Sequence, residues 1–431
     1  MSSLLMCPKQ IPRRYLLLSF LGVSLIVRAL FMIILGDHNQ LRWDEPYYDL
    51  LARRIIGGYG LSFPTDAYYT AVANQPTSFQ EPLYPVVLAI VYKLFGNGNY
   101  MAAYFLQAIL GAVTVQIVFR LTENVFGLWT AILAAGIASL YPPLLFFGRL
   151  LMTDTLFILL LMITVSSALL STKRAPGLSD LATGLFIGFG VLTRSVMLAI
   201  LVLLIVFHAW LTWQRKLSAN RLAIRTFLLI VPVLLVITPW TVRNYRVHDT
   251  FILVSTKLGY NLYFYNYPSN DYRFNERAVP FPDVSNLQEP ERERLLRSTG
   301  LHFIRSSPTT FAKFALLKFL DFWRPLPSEG NSSLLERVIA LASFPPIAML
   351  GLVGLFLASR SAVTIVRDYA MLSLALLVLW LVQAMIFTGG FKARIAIEPT
   401  LIIFASYAVT RLIPRSRKFG AIYGTLTENR H

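Results

Sequence analysis

Apolar residues run along this chain in long stretches, separated by short polar segments rich in arginine and lysine. The stretches lie at about 15–35, 100–121, 127–147, 153–171, 180–193, 195–212, 226–241, 334–357, 369–388 and 395–412. About 20 apolar residues span bilayer hydrocarbon as a helix, the element that satisfies its own backbone groups where no water can. The pattern therefore predicts about ten membrane helices, within bounds of nine to twelve, and an all-α polytopic membrane fold in one domain over 1–431. An eleventh run, Pro82 to Phe95, is about 14 residues long, bounded by Glu81 and Lys93 and interrupted by Pro85. That length suits an interfacial or re-entrant segment.

Loop charge sets the direction of the spans. With ten crossings, Lys9/Arg13/Arg14, Lys173/Arg174, Arg215/Lys216/Arg221/Arg225, Arg360/Arg367 and Arg411/Arg415/Arg417/Lys418 all fall on one side. That side is the cytoplasm by the positive-inside rule, with both termini there. If Pro82–Phe95 crossed, most of these groups would move outside. The same rule splits 180–212 into two short helices at Thr193-Arg194-Ser195. Lys9, Arg13 and Arg14 precede a full-length span, which reads as a retained signal anchor.

Composition agrees with this class and changes the reading of charge. The chain is 56% hydrophobic and 14% charged, so its net charge of +17 belongs with membrane orientation and not with nucleic acid. Cys7 is the single cysteine, which excludes an internal disulfide. The polar remainder forms a first outer loop, 36–99, with juxtamembrane helices, a large outer loop, 242–333, and a basic cytoplasmic tail, 413–431. In the large loop, Tyr260–Tyr267 is an aromatic run, 284–300 is a solvated helix or turn, and Thr309–Trp323 has the spacing of a helix lying on the membrane surface.

The candidate chemistry starts at Asp44-Glu45, directly after the first span. Adjacent carboxylates at a helix mouth are costly near lipid and belong in a water-filled cavity. The plainer reading is an acidic turn capping a helix over Tyr47–Ile56. On the ten-span topology Asp44, Glu45, Glu81, Arg149, Asp154, Arg194, the loop 242–333, Lys392 and Arg394 share the outer face. Convergence of acids and bases on one face is what a site produces. Arg149 is near enough to Asp154 to be its ion-pair partner. Arg28, in the middle of the first span, must be paired or face a cavity. His208, His248 and His302 show no metal spacing.

Several segments in order resemble a known family. They are Trp43-Asp44-Glu45, Glu81-Pro82-Leu83-Tyr84-Pro85, Gln107–Arg120 with Gly111 and Ala112, and Arg149 to Asp154. Leu192-Thr193-Arg194, Pro239 to Asn244, and Arg394-Ile395-Ala396-Ile397-Glu398-Pro399 follow. Together they resemble the bacterial members of the protein O-mannosyltransferase and aminoarabinose transferase superfamily, membrane glycosyltransferases with the GT-C fold. Two departures are Glu81 before Pro-Leu and Lys392-Ala393-Arg394 near the end.

The resemblance implies transfer of one sugar from a polyprenyl-phosphate donor to a hydroxyl of a glycan, lipid or protein, on the outer face of a bacterial inner membrane, with inversion. Asp44 is then the expected base, with Glu45 as its neighbour or substitute and Asp154 as the second carboxylate. Arg194, Arg243 and Arg394 are expected at the donor phosphate, since guanidinium grips phosphate through paired donors. Glu81, Arg149, Asn244 and Lys392 are further site candidates. No particular cofactor is implied, and a divalent cation on Asp44 and Asp154 stays open, because hard cations take carboxylates. The alternatives are a flippase or transporter of lipid-linked glycan, which would show two similar halves, and a glycan polymerase or ligase.

Overall fold

A computed structural model of the chain describes residues 12–35, 41–268, 279–325 and 334–412. The expected basic tail lies outside the described residues. Among the described residues the ten apolar runs all become helical segments of one bundle. They are α1 (Arg13–Leu35), α4 (Tyr100–Phe126), α5 (Leu128–Leu140) continued by α6 (Pro142–Phe147), α7 (Asp154–Ser171), α8 (Leu178–Val191), α9 (Met197–Gln214), α10 (Ala219–His248), α14 (Leu334–Ser359), α15 (Thr364–Ile386), and α16 (Phe391–Arg394) leading into α17 (Glu398–Leu412). Among the described residues, eight helices are long and apolar enough to cross a membrane; Leu83–Phe95, Leu128–Leu140 and Leu178–Val191 are shorter apolar helices. The expected span 127–147 is thus broken. Tyr141 takes an extended conformation before Pro142, as a residue preceding proline is pushed to do.

The passes alternate between two ends, and side-chain contacts identify each end. Arg13 pairs with Glu123 at 3.0 Å, and Thr130 meets Thr410 at 3.0 Å. The start of α1, the end of α4, the start of α5 and the end of α17 therefore lie together. At the other end, Glu45 bonds Leu151, Leu83 bonds Leu192, and Arg243 bonds Thr77. This is the Asp44 end.

Two further helices sit there, α2 (Glu45–Ile56) and α3 (Leu83–Phe95). The start of α3 is held by Leu83 N–H on the Leu192 carbonyl. Its far end is held through Arg53 of α2, which donates to Asn97 and Tyr100. Tyr92 of α3 also donates to Asp49 of α2 at 2.7 Å. Both ends of α3 are thus anchored at the Asp44 end.

Arg28 is paired. It donates to Ser24 and to the Leu144 carbonyl, joining α1 to α6. Its guanidinium lies 2.8 Å from where a Cβ of Gly111 would stand, so the glycine leaves the arginine room between α1 and α4.

The segment expected as one large outer loop is mostly helical. α10 runs past Trp240 to His248 in spite of Pro232 and Pro239, so the connection begins at Asp249, in the left-handed conformation. α11 (Lys257–Asn266), α12 (Glu289–Ser306) and α13 (Pro308–Phe322) follow. The aromatic run is α11, and its rings pack inward: Tyr260 lies against Phe79 and Phe264, and Tyr263 against Phe281 and Phe303. The polar stretch expected to be solvated is α12, and two of its charges are buried. Arg292 is paired with Asp66 at 2.6 Å, and Glu289 accepts from Ser78 N–H and Thr256. α11 and α12 cross closely through Gly259 and Gly300, where an added Cβ would meet backbone atoms at 2.3 and 2.6 Å.

Candidate functional site

The Asp44 end gathers six separate segments: 42–48, 77–81, 149–154, 192–195, 243–257 and 391–394. Asp44 sits at the N-terminus of α2, where the plainer reading would make it a cap. Its carbonyl accepts from Tyr47 and Tyr48, yet its carboxylate makes no capping hydrogen bond. Oδ2 instead faces Lys392 Nζ at 2.9 Å, and Oδ1 accepts from the Tyr68 hydroxyl at 3.4 Å. Both partners of the ion pair keep solvent access, Lys392 at 40% and Asp44 at 30% of side-chain surface. Burial by itself would raise the Asp44 carboxyl. Lys392, Lys257 and Arg194 outweigh it and hold the group at about 2.

Glu45, its neighbour, is placed differently. One oxygen accepts from Leu151 N–H at 2.6 Å and the other from Arg42 N–H at 2.8 Å. It is buried, and burial raises its pKa against those two bonds. Glu45 therefore ties the 149–153 loop to the turn that presents Asp44.

Asp154 opens α7 and is fully buried. The sequence gives it Arg149 as partner; the structure gives it Arg194, whose Nη2 lies 2.6 Å from Oδ1. Arg194 also donates to Thr153 at 2.9 Å. The break between α8 and α9 at 192–196 creates this pair, because it turns Arg194 back over the start of α7. Arg149 lies over the Phe146 ring and acts on Glu45. Among the described residues Oδ2 of Asp154 has no hydrogen-bond partner. Glu81 is buried and accepts from both the backbone N–H and the hydroxyl of Ser195, at 3.1 and 2.6 Å.

Of the three arginines expected at one phosphate, Arg194 is among the charges that act on Asp44. Arg243 lies over Trp240 and donates to the Thr77 carbonyl and to Ser78. Asn244, fully buried beside it, accepts from Ser78 and donates to the Ile252 and Val254 carbonyls. Arg394 is 2% exposed. It pairs with Glu398 at 2.8 Å, donates to the Phe322 and Arg324 carbonyls, and lies over the Phe344 ring. Arg243 and Arg394 thus tie helices together with guanidinium groups that already have acceptors.

The structure adds Lys257, Tyr68 and Gln80. Lys257 donates to Gln80 at 3.0 Å, and Tyr48 donates to the same oxygen at 3.4 Å. Burial lowers the Lys257 ammonium, partly offset by Glu81 and Asp44. Lys257 reaches the cluster because the 252–254 carbonyls are strapped to Trp240 and Asn244 of α10. No motif marks it, since its position depends on that fold-back. Tyr68 reaches Asp44 from a tight turn in which Tyr68 and Tyr69 both have positive φ, a conformation that tyrosine does not announce in sequence.

Among the described residues no group of three or more His, Cys, Asp or Glu could hold a metal ion. Asp44 and Asp154 each face a cation, which is a donor set for ion pairing rather than for a divalent ion.

Residues 75–242 match the family model described as dolichyl-phosphate-mannose-protein mannosyltransferase. That stretch contains Glu81, Asp154 and Arg194 and bears out the resemblance carried by the motifs. No match is found among curated protein sequences. The structure is similar to the apo oligosaccharyltransferase of Archaeoglobus fulgidus, at a TM-score of 0.62 and 15% identity, over 95% of this chain and 52% of that one. It is also similar to the AglB oligosaccharyltransferase of the same organism in complex with an inhibitory peptide and a dolichol-phosphate, at 0.59 and 15%, over 96% and 54%. ArnT from Cupriavidus metallidurans bound to undecaprenyl phosphate aligns at 0.42 and 15%, over 91% and 77%. The chain spans about half the length of the oligosaccharyltransferases, and what it shares with them is the all-helical GT-C fold.

Proposed function

We propose that the protein is a membrane glycosyltransferase that moves one sugar from a polyprenyl phosphate to an acceptor hydroxyl, at the membrane face bearing Asp44 and with inversion. The observation that carries this reading is Asp44, a half-exposed carboxylate facing Lys392 with Lys257 and Arg194 acting on it. The acceptor oxygen attacks the anomeric carbon as the bond from that carbon to the phosphate oxygen breaks. The hydroxyl proton goes to the Asp44 carboxylate, and the electron pair of the broken bond goes to the phosphate. A base must lie within hydrogen-bond reach of the proton it takes, and fixed cations stabilise the charge growing on the leaving group. Lys392, Lys257 and Arg194 take the second role. When a phosphate occupies the bay it competes for Lys392, which leaves Asp44 a stronger base at the moment one is needed. Glu45 positions the loop, Asp154 holds Arg194, and Glu81 holds the 195 turn.

The family match over 75–242 and the dolichol-phosphate in the similar AglB structure support a lipid-phosphate donor. Sidedness rests on charge. Lys173, Arg174, Arg215, Lys216, Arg221, Arg225, Arg360 and Arg367 lie at the end opposite Asp44. The positive-inside rule puts that end in the cytoplasm and Asp44 outside, with the chain in a bacterial inner membrane.

The test is reconstitution in proteoliposomes with polyprenyl-phosphate sugars and hydroxyl acceptors, measuring sugar transferred and polyprenyl phosphate released. Lys257→Gln and Lys392→Gln should raise the donor KM and lower kcat. Movement of the lipid-linked sugar across the bilayer without transfer would replace this reading with a flippase. Transfer of a preassembled glycan alone would make the protein a ligase.

A further inference from the structure

Beside the Asp44–Lys392 ion pair stands an aromatic wall that the transfer chemistry does not use. Trp43 precedes Asp44 and Phe391 precedes Lys392, and their rings meet edge to face at 6.2 Å. The ion pair and the ring pair are therefore adjacent rungs between the same two segments. Phe146, from the end of α6, closes the wall at 6.0 Å from Trp43 and 6.3 Å from Phe391. Phe147 backs it, 5.4 Å from Phe391 and fully buried.

Trp43 has φ +54°. For a bulky side chain this is an outlier, and strain of this kind persists where the surrounding structure imposes it, most often at functional sites. Elsewhere at this end the same strain serves packing: Tyr69, at φ +51°, lies flat on Phe281 with ring centres 3.6 Å apart. Among the described residues Trp43 has no flat partner. Phe146 and Phe391 meet it at 66° and 65°, and the residue is 41% exposed. Strain here holds an indole in place with ring surface uncovered, next to a carboxylate and an ammonium.

We infer that Trp43, Phe146 and Phe391 form the subsite for the pyranose ring being transferred, with the indole under its C–H face. A pyranose has one face lined by C–H groups, positively polarised and apolar, which suits the negative face of an aromatic ring. Its hydroxyls need hydrogen-bonding groups at the edge, and Asp44, Lys392 and the Tyr68 hydroxyl stand there. Small-ligand sites combine an apolar wall with a few placed polar groups in this way. The inference rests on the donor reading above, since the ring must sit within reach of Asp44 for its anomeric carbon to react.

The experiment measures binding of two probes in detergent: undecaprenyl phosphate, and undecaprenyl phosphate carrying one mannose or glucose, whichever wild type binds more tightly. Trp43→Gly removes the ring and accepts the positive φ without strain, so the turn survives. It should weaken the sugar-bearing probe about tenfold and leave the bare lipid phosphate unchanged, the size expected of one lost ring contact. Trp43→Phe should recover most of the loss. Equal weakening of both probes would overturn the inference and assign the wall to the isoprenoid chain. So would wild type that binds the two probes equally. Wild type that binds neither would remove the donor reading and the subsite with it, whereas failure of the subsite alone leaves bare-lipid binding intact.

Discussion

The two ends of the bundle use charge for different ends. Opposite Asp44, Asp180 lies 3.0 Å from Arg225, and Asp368 pairs with Arg215; both acids are buried. The arginines also cap helix ends, Arg225 on the Ser171 and Arg174 carbonyls and Arg215 on Thr172. At the Asp44 end, Asp44 and Lys392 keep solvent access, and Trp43, Tyr68, Tyr69, Asn74 and Asp249 carry positive φ, against Lys216 among the described residues of the other end. A buried pair that caps helix ends is a staple, because breaking it strands a charge. A half-exposed pair held by strained backbone has a second partner to take. The difference teaches which end is built to exchange contacts and which to keep them.

Asp44→Asn tests that contrast most severely. Loss of a general base costs a factor of roughly 10²–10⁴ in rate. The thermal midpoint in detergent should stay near wild type, because Asn preserves shape at a half-exposed site. A variant that transfers at the wild-type rate would take Asp44 out of the chemistry.

Asp180→Asn should do the reverse. Stranding buried Arg225 costs about 3 kcal/mol of stability, read as a lower midpoint by tryptophan fluorescence. Activity per folded molecule should hold. A large fall in kcat with an unchanged midpoint would erase the distinction between the ends.

Glu45→Gln falls between. Its two oxygens accept from two backbone donors, and a glutamine offers one carbonyl oxygen and a donor that faces the second N–H. The lost bond costs about 1.5 kcal/mol. It should lower kcat several-fold by loosening the 149–153 loop, with donor KM little changed. A KM effect without a kcat effect would move Glu45 to donor binding.

Lys392→Met reads the ion pair itself through the pH profile, alongside the rise in donor KM and fall in kcat expected of a lost cation. In the free protein the three cations hold Asp44 at about 2, so it stays ionised across the working range. Removing one cation favours the protonated carboxyl and raises its pKa toward the ordinary value. The acid limb of kcat/KM against pH, which reports the free protein, should therefore move to higher pH. No movement would mean that Lys392 does not set the state of Asp44.

Much of this arrangement was legible before any fold. Arg194 stood out because a charge at a break between two apolar runs must go to an end. Asp44 stood out because it follows the first span. Arg149 was given to Asp154 by proximity along the chain, and that failed because the 148–153 turn separates them while the α8–α9 break brings Arg194 across. Lys257 was missed because its place depends on the strap from α10.

Sequence alone determined the apolar passes and the end on which each junction lies, though not the break at Tyr141 or the helix at Lys257–Asn266. Apolar runs of span length have one way to satisfy their backbone in lipid, and each added pass moves the next junction to the opposite end. Tertiary structure alone decided what each junction residue touches. Lys392 and Arg394 make the point, two residues apart in one helical turn. The turn carries them to different faces, so Lys392 meets Asp44 at the exposed cluster, while Arg394 is sealed against Glu398 and Phe344. Spacing along the chain fixes that divergence of faces, but only the packed neighbours decide which face opens to a substrate and which closes into the core.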